Sequence, residues 1–236
     1  MITTFITKNI SIAASGDLEN LPIYSVDRSD KKIALTFDVN WAENDNIYSI
    51  LDILDEYNVK ATFFVIGGWV EYSEKNKEEL IAIYQRGDEI GNHSFKHPMF
   101  TSISKSRMEK ELKETDDVIY KYTGEKPTLF RFPSGDYNKE SYNFVTSLGY
   151  TSIQWDVDSI DWREDGADIE YQRLKKGIKP GSIILFHNGA KYTCQNLRRI
   201  ISEYKSEGYE FTKVSDMIYP DSKNTDKNGT QILGEK

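Results

Sequence analysis

Residues 33–38, IALTFD, form a short and mostly apolar run that ends at a single carboxylate. Such a run is typical of a strand buried on both faces, as in a parallel sheet. A carboxylate at its end is costly to bury unless it is paired or hydrogen-bonded. We therefore interpret this stretch as a central strand and Asp38 as a metal ligand or a base. The alternative is an aspartate that caps the next helix.

Similar runs follow along the chain and alternate with amphipathic ones. Further strands are predicted at residues 61–66, 89–93, 128–132, 151–156, 182–187 and 209–212. Apolar residues spaced by three and four predict helices at residues 45–57, 74–86, 104–122, 139–148, 168–176 and 196–207. Seven strands with intervening helices predict a single-domain α/β fold, a distorted or incomplete (β/α) barrel of parallel strands. A doubly wound open sheet is the alternative.

The ends of the predicted strands carry polar, mostly ionisable side chains. In a (β/α) barrel, catalytic residues lie at the carboxyl ends of the strands, so these groups would meet at one mouth. They are Asp38, His93 with His97, Arg131, Asp158 with Asp161, and His187.

All three histidines of the chain fall at these strand ends. His93 and His97 are four residues apart and could bind one metal ion, which with an oxygen ligand and an open position would form a catalytic zinc-type site. The alternative is an exposed pair before Pro98. His187 follows an apolar strand, and an imidazole that titrates near neutral pH suits a general acid. A buried structural histidine would give the same pattern.

Arg131 lies in the segment RFPSGD, whose proline and glycine suit a tight turn. Its guanidinium could pair with a strand-end carboxylate such as Asp38 or Asp161. An ordinary structural ion pair would look the same in the sequence.

The charge and the cysteine content of the chain exclude several classes of ligand and site. The net charge of −8 argues against binding to a nucleic-acid backbone, and a neutral or cationic ligand fits better. The single cysteine, Cys194, excludes an intramolecular disulfide and a multi-cysteine metal site. No stable protein partner is implied.

The domain is predicted to run over residues 28–219. Residues 1–27 show no sustained period and are interpreted as an N-terminal extension, and residues 220–236 as a polar tail with little to bury. No run of 18 apolar residues occurs, and the first stretch is too polar for a complete signal peptide.

Taken in order, the strand-end motifs resemble those of the polysaccharide deacetylases with a NodB-homology domain, carbohydrate esterase family four. The family patterns TFDDG, H(S/T)xxH, RxPxG and DxxDW correspond to residues 36–40 (TFDVN), 93–97 (HSFKH), 131–135 (RFPSG) and 158–162 (DSIDW). A fifth pattern, an apolar residue three before a histidine, corresponds to residues 184–187 (ILFH). The resemblance covers about residues 21–219.

The resemblance implies a role for each matched residue. Asp38 would be the general base and His187 the general acid, while Arg131 and Asp161 would orient and tune Asp38. His93 and His97 would hold a divalent metal, zinc or alternatively cobalt or nickel. Substrate contacts would come from a backbone N–H near Ser134 and from an apolar pocket for the acetyl methyl, lined by Trp162, Leu185 and Phe186.

Val39 departs from the family pattern, which has a second aspartate at this position as a metal ligand. Either Asp38 or Asn40 turns to the metal, or waters complete its shell, or affinity is low, or the domain is catalytically impaired. Ser134 replaces a common tyrosine. The stretch from Asp38 to Trp41 and residues 21–28 (LPIYSVDR) resemble the sporulation-associated branch of the family.

The resemblance therefore implies hydrolysis of N-acetyl groups on the amino sugars of a cell-wall polysaccharide, peptidoglycan or chitin-like. Two alternatives remain: a glycan-binding module with an idle active site, or a small-molecule amide or imide hydrolase on the same fold. We expect the protein to act outside the cytoplasm of a Gram-positive bacterium, secreted or membrane-anchored in its full-length form.

Overall fold

The computed structural model describes residues 21–222 and 224–233. In these residues the strands are β1 Ser25–Val26, β2 Lys32–Val39, β3 Thr62–Val65, β4 Glu89–Asn92, β5 Leu129–Phe130, β6 Thr151–Ser152, β7 Val157–Asp158, β8 Ile183–His187, β9 Glu210–Phe211 and β10 Thr230–Gln231. The α-helices are α1 Ile47–Glu56, α2 Gly67–Val70, α3 Glu74–Gln85, α4 Lys105–Thr123, α5 Lys139–Ser147, α6 Ala167–Gly177, α7 Thr193–Ser206 and α8 Val214–Met217.

Seven strands form one curled sheet in the order β6-β5-β4-β3-β2-β8-β7, and β9 pairs with the beginning of β2. Every neighbouring pair in this sheet is parallel. The predicted α/β fold, a distorted and incomplete barrel, is therefore confirmed. The seven predicted strands and six predicted helices all occur, with ends shifted by a few residues.

The stretch predicted as one strand over residues 151–156 is split. β6 ends at Ser152, and a second short strand, β7, begins at Val157 and pairs with β8 on the opposite edge of the sheet. The chain thus crosses the open side of the barrel between these two strands. Asp158 therefore lies beside β8 rather than beside β5, which the sequence pattern did not indicate.

The two faces of β2 pack against different partners. Ile33, Leu35, Phe37 and Val39 belong to a core cluster that includes residues of α1, α3 and α7. Ala34 belongs to a separate cluster inside the curl of the sheet, with Ile183 of β8 among its members. This alternation follows from the two-residue period of a strand. It directs Asp38, two residues after Thr36, towards the inside of the barrel mouth.

Residues on either side of the range 28–219 also pack on the barrel. β1 pairs in parallel with β10, and Ile23 and Gln231 are 6% and 1% exposed. The expectation that the tail has little to bury is wrong for Gln231, whose side-chain amide bonds to the backbone of Tyr219 and Ser222. The division at residues 28 and 219 stays a prediction, and residues 1–20 lie outside the described residues.

Among residues 21–222 and 224–233, no helix combines the length and apolar character needed to cross a bilayer.

Candidate active site

A cavity of about 580 Å³ opens at the carboxyl ends of the strands. It brings together most of the strand-end residues singled out in the sequence, on β2, β8 and the loops after β4, β5 and β7. Its lining consists of Asp38, Asn40, His93, His97, Ser134, Trp155, Asp158, Ile160, Trp162, Arg163, Leu185 and His187. Arg131 and Asp161 lie beneath this surface, each fully buried.

Asp38 and His187 are direct register partners across β2 and β8. Side chains at paired positions of neighbouring strands project from the same face of a sheet. The two residues therefore enter the cavity side by side, with their relative position set by the backbone ladder between the strands.

Arg131 holds Asp38 from below. Its Nη1 donates to Oδ1 of Asp38 at 2.8 Å, and its Nη2 donates to the backbone carbonyl of Gln154 at 3.0 Å. The guanidinium also lies over the ring of Phe64, 4.1 Å from its centroid. Of the two partners considered for Arg131, Asp38 is thus the one that it binds.

The carboxyl group of Asp38 is kept ionised in this setting. Burial alone would raise its pKa, but the electrostatic interactions with His93, Arg131 and His187 and the hydrogen bond from Arg131 outweigh burial, so its pKa lies below the usual value. Asp38 is therefore in the form that accepts a proton.

Asp161 holds His187, not Asp38. Its Oδ1 lies 2.7 Å from Nδ1 of His187, and its Oδ2 accepts from the backbone N–H of His187 at 2.9 Å and from the hydroxyl of Thr193 at 2.7 Å. The role expected for Asp161, orienting Asp38, is therefore corrected. The motif DSIDW lies on the far side of β8, where the nearest strand-end side chain is His187.

The contact between Asp161 and Nδ1 of His187 determines which ring nitrogen carries a proton. A carboxylate can only accept, so Nδ1 carries a proton and Nε2 is left for the cavity. Burial would lower the pKa of His187, but the hydrogen bond and charge of Asp161 outweigh it and raise the pKa above the usual value. His187 is thereby favoured as a proton donor near neutral pH.

His93 and His97 lie next to each other, with ring centroids 4.9 Å apart. Nδ1 of His93 donates to the backbone carbonyl of Arg131 at 2.9 Å, so Nε2 keeps its lone pair and faces Oδ2 of Asp38 at 3.4 Å. Burial lowers the pKa of His93 to about 4, and it also lowers that of His97. Both imidazoles are therefore neutral at pH 7, the state in which they bind metals.

The loop between these histidines is held by Glu111 of α4, a residue that we did not single out from the sequence. Its buried Oε2 accepts from the backbone N–H groups of Phe95 and Lys96 at 2.9 and 2.6 Å. Ser94 and His97 adopt left-handed backbone angles, with φ of 66° and 56°, which cost free energy in non-glycine residues. Glu111 thus stabilises a strained loop.

A signal for Glu111 was present in the sequence. It lies three residues after Met108 and one before Leu112, on the apolar face of its helix, and only 1% of it is exposed. A carboxylate on a buried helix face requires polar partners. The backbone N–H groups that it binds could not be identified from the sequence.

The position of Val39 leaves the candidate metal site without the third ligand that the family pattern has there. Its side chain is fully buried in the cluster between β2 and the helices, on the opposite face of the strand from Asp38. Within the described residues, no group of three or more His, Cys, Asp or Glu side chains is placed to hold a metal ion. His93 and His97 supply two donors, and Asp38, the nearest carboxylate, is bound to Arg131. The residues present do not fit a three-ligand metal centre.

Asn40, two residues after Asp38, is the next residue of this segment to line the cavity. Its backbone is fixed by the side chain of Asn188, which accepts from the N–H of Asn40 and donates to its carbonyl oxygen, both at 3.1 Å. Of the two residues considered as replacement ligands, Asn40 lines the same cavity as His93 and His97 and carries an amide. Asp38 is already engaged in its ion pair.

The residues expected to contact substrate divide into two groups. Ser134 and Trp162 line the cavity, and Trp162 is 65% exposed. Leu185 lines it as well. The placement of Phe186 there was wrong, because its ring is buried on the helix side of the sheet and stacks on Phe37 with centroids 5.8 Å apart. Counting in twos back from His187 selects Leu185 and excludes Phe186.

Two cavity residues were given no substrate role from the sequence. Trp155 forms part of the wall and also lies over the guanidinium of Arg131, 5.4 Å from centroid to Cζ. Asp158 accepts from the N–H of Ile160 at 2.8 Å, and burial raises its pKa. Trp155 and Trp162 thus give the lining of the cavity two aromatic side chains.

The fold and these paired acid and base groups define a hydrolase-type site on an incomplete α/β barrel. The family model for polysaccharide deacetylases matches residues 25–153, more than half of the chain. The chain belongs to the polysaccharide deacetylase family, a family of hydrolases that cleave carbon–nitrogen bonds. The resemblance drawn from the five motifs is thereby confirmed.

Two curated relatives illustrate the range of the family. The peptidoglycan-N-acetylmuramic acid deacetylase PdaA of Bacillus subtilis is 32% identical over 201 residues, which are 83% of this chain and 74% of that protein. The peptidoglycan-N-acetylglucosamine deacetylase PgdA of Listeria monocytogenes is 34% identical over 191 residues, 80% of this chain but only 39% of that protein. The two relatives are thus named for different amino sugars.

One similar solved structure is that of a family member without enzymatic activity. The CE4 family pseudoenzyme from Bacillus anthracis is 33% identical, with a TM-score of 0.78, and the match covers 85% of this chain and 70% of that one. A mutant of that protein is described as having restored enzymatic activity. The family therefore contains inactive members close in structure to this chain.

Proposed function

We propose that this chain hydrolyses the N-acetyl groups of amino sugars in a cell-wall polysaccharide, of the peptidoglycan or chitin-like type. The observation that carries the proposal is the register pair of Asp38 and His187, each held by a buried partner of opposite charge. Amide hydrolysis needs a base for the attacking water and an acid for the departing nitrogen. Both groups enter one cavity here.

Each residue then has a defined part in the proposed reaction. Asp38 accepts the proton of the water that attacks the acetyl carbonyl, while Arg131 keeps the carboxylate ionised and oriented. His187 donates from Nε2 to the amine nitrogen as the carbon–nitrogen bond breaks. Asp161 stabilises the imidazolium and keeps the proton on Nδ1, as a buried carboxylate does in hydrolase triads.

The surroundings of the pair support a glycan as substrate. Trp155, Trp162 and Leu185 contribute apolar surface to the cavity, which suits an acetyl methyl and the C–H faces of a sugar ring. The curated relatives described above are named for peptidoglycan amino sugars. Because both relatives are named for peptidoglycan, we propose that the protein acts outside the cytoplasm of a Gram-positive bacterium, secreted or membrane-anchored in its full-length form.

Acetate release from N-acetylglucosamine oligomers and from purified peptidoglycan tests the proposal. The assay is run with chelator, with zinc, with cobalt and with nickel, because the metal site has only two histidine donors. We expect acetate from at least one glycan. Asp38→Asn and His187→Ala should each reduce turnover by about 10²- to 10⁴-fold while far-UV and near-UV circular dichroism remain unchanged. Absence of acetate with every glycan and every metal would refute the proposal.

A second candidate function is glycan binding without cleavage, and the position of Val39 favours it. Val39 is buried in the core, and the structurally similar pseudoenzyme shows that the fold persists without activity. The chain would then bind a glycan without cleaving it. Glycan binding by calorimetry together with no acetate release in any metal would select this function.

A further inference from the structure

We propose that Glu170, a buried residue of α6, is a positioning residue for the acid: it holds Asp161 through α7, and its negative charge favours the protonated form of His187. The inference rests on the proposed function, because it concerns the proton that His187 donates. Glu170 belongs to none of the five sequence motifs.

Glu170 is connected to the acid through two residues of α7. Its Oε2 accepts from Nδ2 of Asn196 at 3.0 Å. Thr193, three residues earlier on α7, donates from its hydroxyl to Oδ2 of Asp161 at 2.7 Å. Residues three apart lie on the same face of a helix. The first turn of α7 is thus bonded to α6 at Asn196 and to the partner of His187 at Thr193.

This connection lies in the interior of the protein. Only 1% of Glu170 is exposed, and Thr193, Asn196 and Asp161 are fully buried. Water screens charges and competes for hydrogen bonds much less in such surroundings than at the surface. A charge on Glu170 therefore acts on Asp161 and on the imidazole beyond it with little screening.

The carboxyl group of Glu170 has one oxygen without a partner. Oε1 is buried and has no hydrogen-bond partner among the described residues, and the bond from Asn196 uses only Oε2. A buried carboxylate that is only partly hydrogen-bonded costs free energy, whereas an apolar side chain would fill the same space between α6 and α7 without that cost. The carboxyl group therefore fits a role of its charge rather than of packing.

Glu170 changes its charge near neutral pH. Burial, the largest influence, raises its pKa to about 7, while the hydrogen bond from Asn196 opposes this rise. Among the nearby charges, Asp161 and Asp165 raise the pKa and Arg173 lowers it. Both charge states of Glu170 are thus populated at neutral pH.

The charge of Glu170 affects His187 in a definite direction. On α7, Arg199 donates to Oδ1 of Asn196 at 3.4 Å, but it also pairs with the exposed Asp168 at 2.8 Å. Ionised Glu170 adds a second negative charge on the Asp161 side of the imidazole, and negative charge favours the imidazolium. The pKa of His187 is therefore higher when Glu170 is ionised, and His187 keeps the proton that it donates up to a higher pH.

NMR titration of the His187 ring tests the inference without turnover. Glu170→Gln keeps the length of the side chain and an oxygen that accepts from Asn196, and it removes the ionisation. We expect the midpoint of the His187 titration, and the alkaline limb of kcat/KM, to move to lower pH by about 0.5–1 unit. Glu203→Gln is the matched control, because this partly exposed carboxyl also lies between α6 and α7, where it pairs with Lys175.

A second titration needs no variant. In the unaltered chain, the carboxyl carbon of Glu170 should titrate near pH 7, and the ring of His187 should respond to the same step. Titration of Glu170 at the ordinary pH of a glutamate overturns the inference. So does a His187 midpoint that is unchanged in folded Glu170→Gln or equally shifted in Glu203→Gln. These results leave the proposed function standing, whereas the expected shift without acetate release from any glycan supports the coupling and refutes the proposed function.

Discussion

The carboxylate of Asp161 contacts His187 twice, through the ring Nδ1 at 2.7 Å and through the backbone N–H at 2.9 Å. The same side chain therefore fixes both the orientation of the strand end and the protonation of the imidazole. Because Asp161 is fully buried, its charge acts on His187 with little screening. The acid strength of His187 is thus tied to one residue.

Replacement of Asp161 by Asn should lower the pKa of His187. The carboxylate raises this pKa, so its loss leaves burial, which lowers the pKa, unopposed by that charge. The alkaline limb of kcat/KM should move to lower pH, and activity at neutral pH should fall about 10²- to 10⁴-fold. NMR titration of the His187 ring checks the pKa directly. Asp168→Asn, at an exposed carboxylate, is the control, and an unchanged titration in Asp161→Asn would contradict the assignment.

Replacement of Arg131 by Met should destabilise the fold. It would leave the carboxylate of Asp38 buried without its partner, which typically costs about 3–5 kcal/mol. Urea unfolding followed by fluorescence measures the change. Arg198→Met, which removes an exposed ion pair with Glu56, should have little effect. Equal stabilities of the two variants would show that the Asp38 pair is not the buried contact described here.

A carboxylate at position 40 should strengthen metal binding more than one at position 39. Asn40 lines the cavity with both histidines, whereas Val39 lies in the helix-side core. Asn40→Asp therefore adds a third anionic or imidazole donor, and zinc affinity should rise by about tenfold or more in calorimetry. Val39→Asp should instead lower the free energy of unfolding, because it buries an unpaired charge. Tighter zinc binding by Val39→Asp alone would mean that β2 ends earlier than described.

Replacement of Glu111 by Ala should loosen the histidine loop. Two backbone N–H groups lose their buried acceptor, at a cost of about 1–3 kcal/mol. Amide hydrogen exchange should accelerate at Phe95 and Lys96. Zinc affinity should also fall, because the same loop positions His93 and His97. Glu114→Ala on the same helix serves as the control, since Glu114 forms a surface ion pair with Lys110. Unchanged exchange at both amides would contradict the role.

Much of this site could be predicted because strand ends are visible in a sequence. An apolar run followed by a charged residue locates Asp38 and His187, and parallel topology then brings such ends to one mouth. The partner of a buried charge is less visible. The role of Asp161 in orienting Asp38 came from the family resemblance, and residue types alone do not show on which side of β8 the motif DSIDW lies.

The remaining differences have similar causes. β7 has only two residues, too few to show a period, so the split of the 151–156 stretch was not predictable. Gln231 is buried with its side-chain amide hydrogen-bonded to the backbone of Tyr219 and Ser222, and a polar residue of this kind gives no hydropathy signal. The placement of Phe186 in the cavity, in contrast, was avoidable, because the two-residue period of β8 already directs its side chain to the opposite face from His187.

The pairing of Asp38 with His187 in one backbone ladder also bears on how such a domain can diversify. The distance between the two groups is independent of loop length, because no loop lies between β2 and β8 at that level. Insertions and deletions after the strands can reshape the surroundings of the reacting bond without moving the groups that transfer protons. New glycan preferences are then accessible by changes in loops alone, and the first such loop, which carries Asn40 and Trp41, is the natural position at which to engineer them.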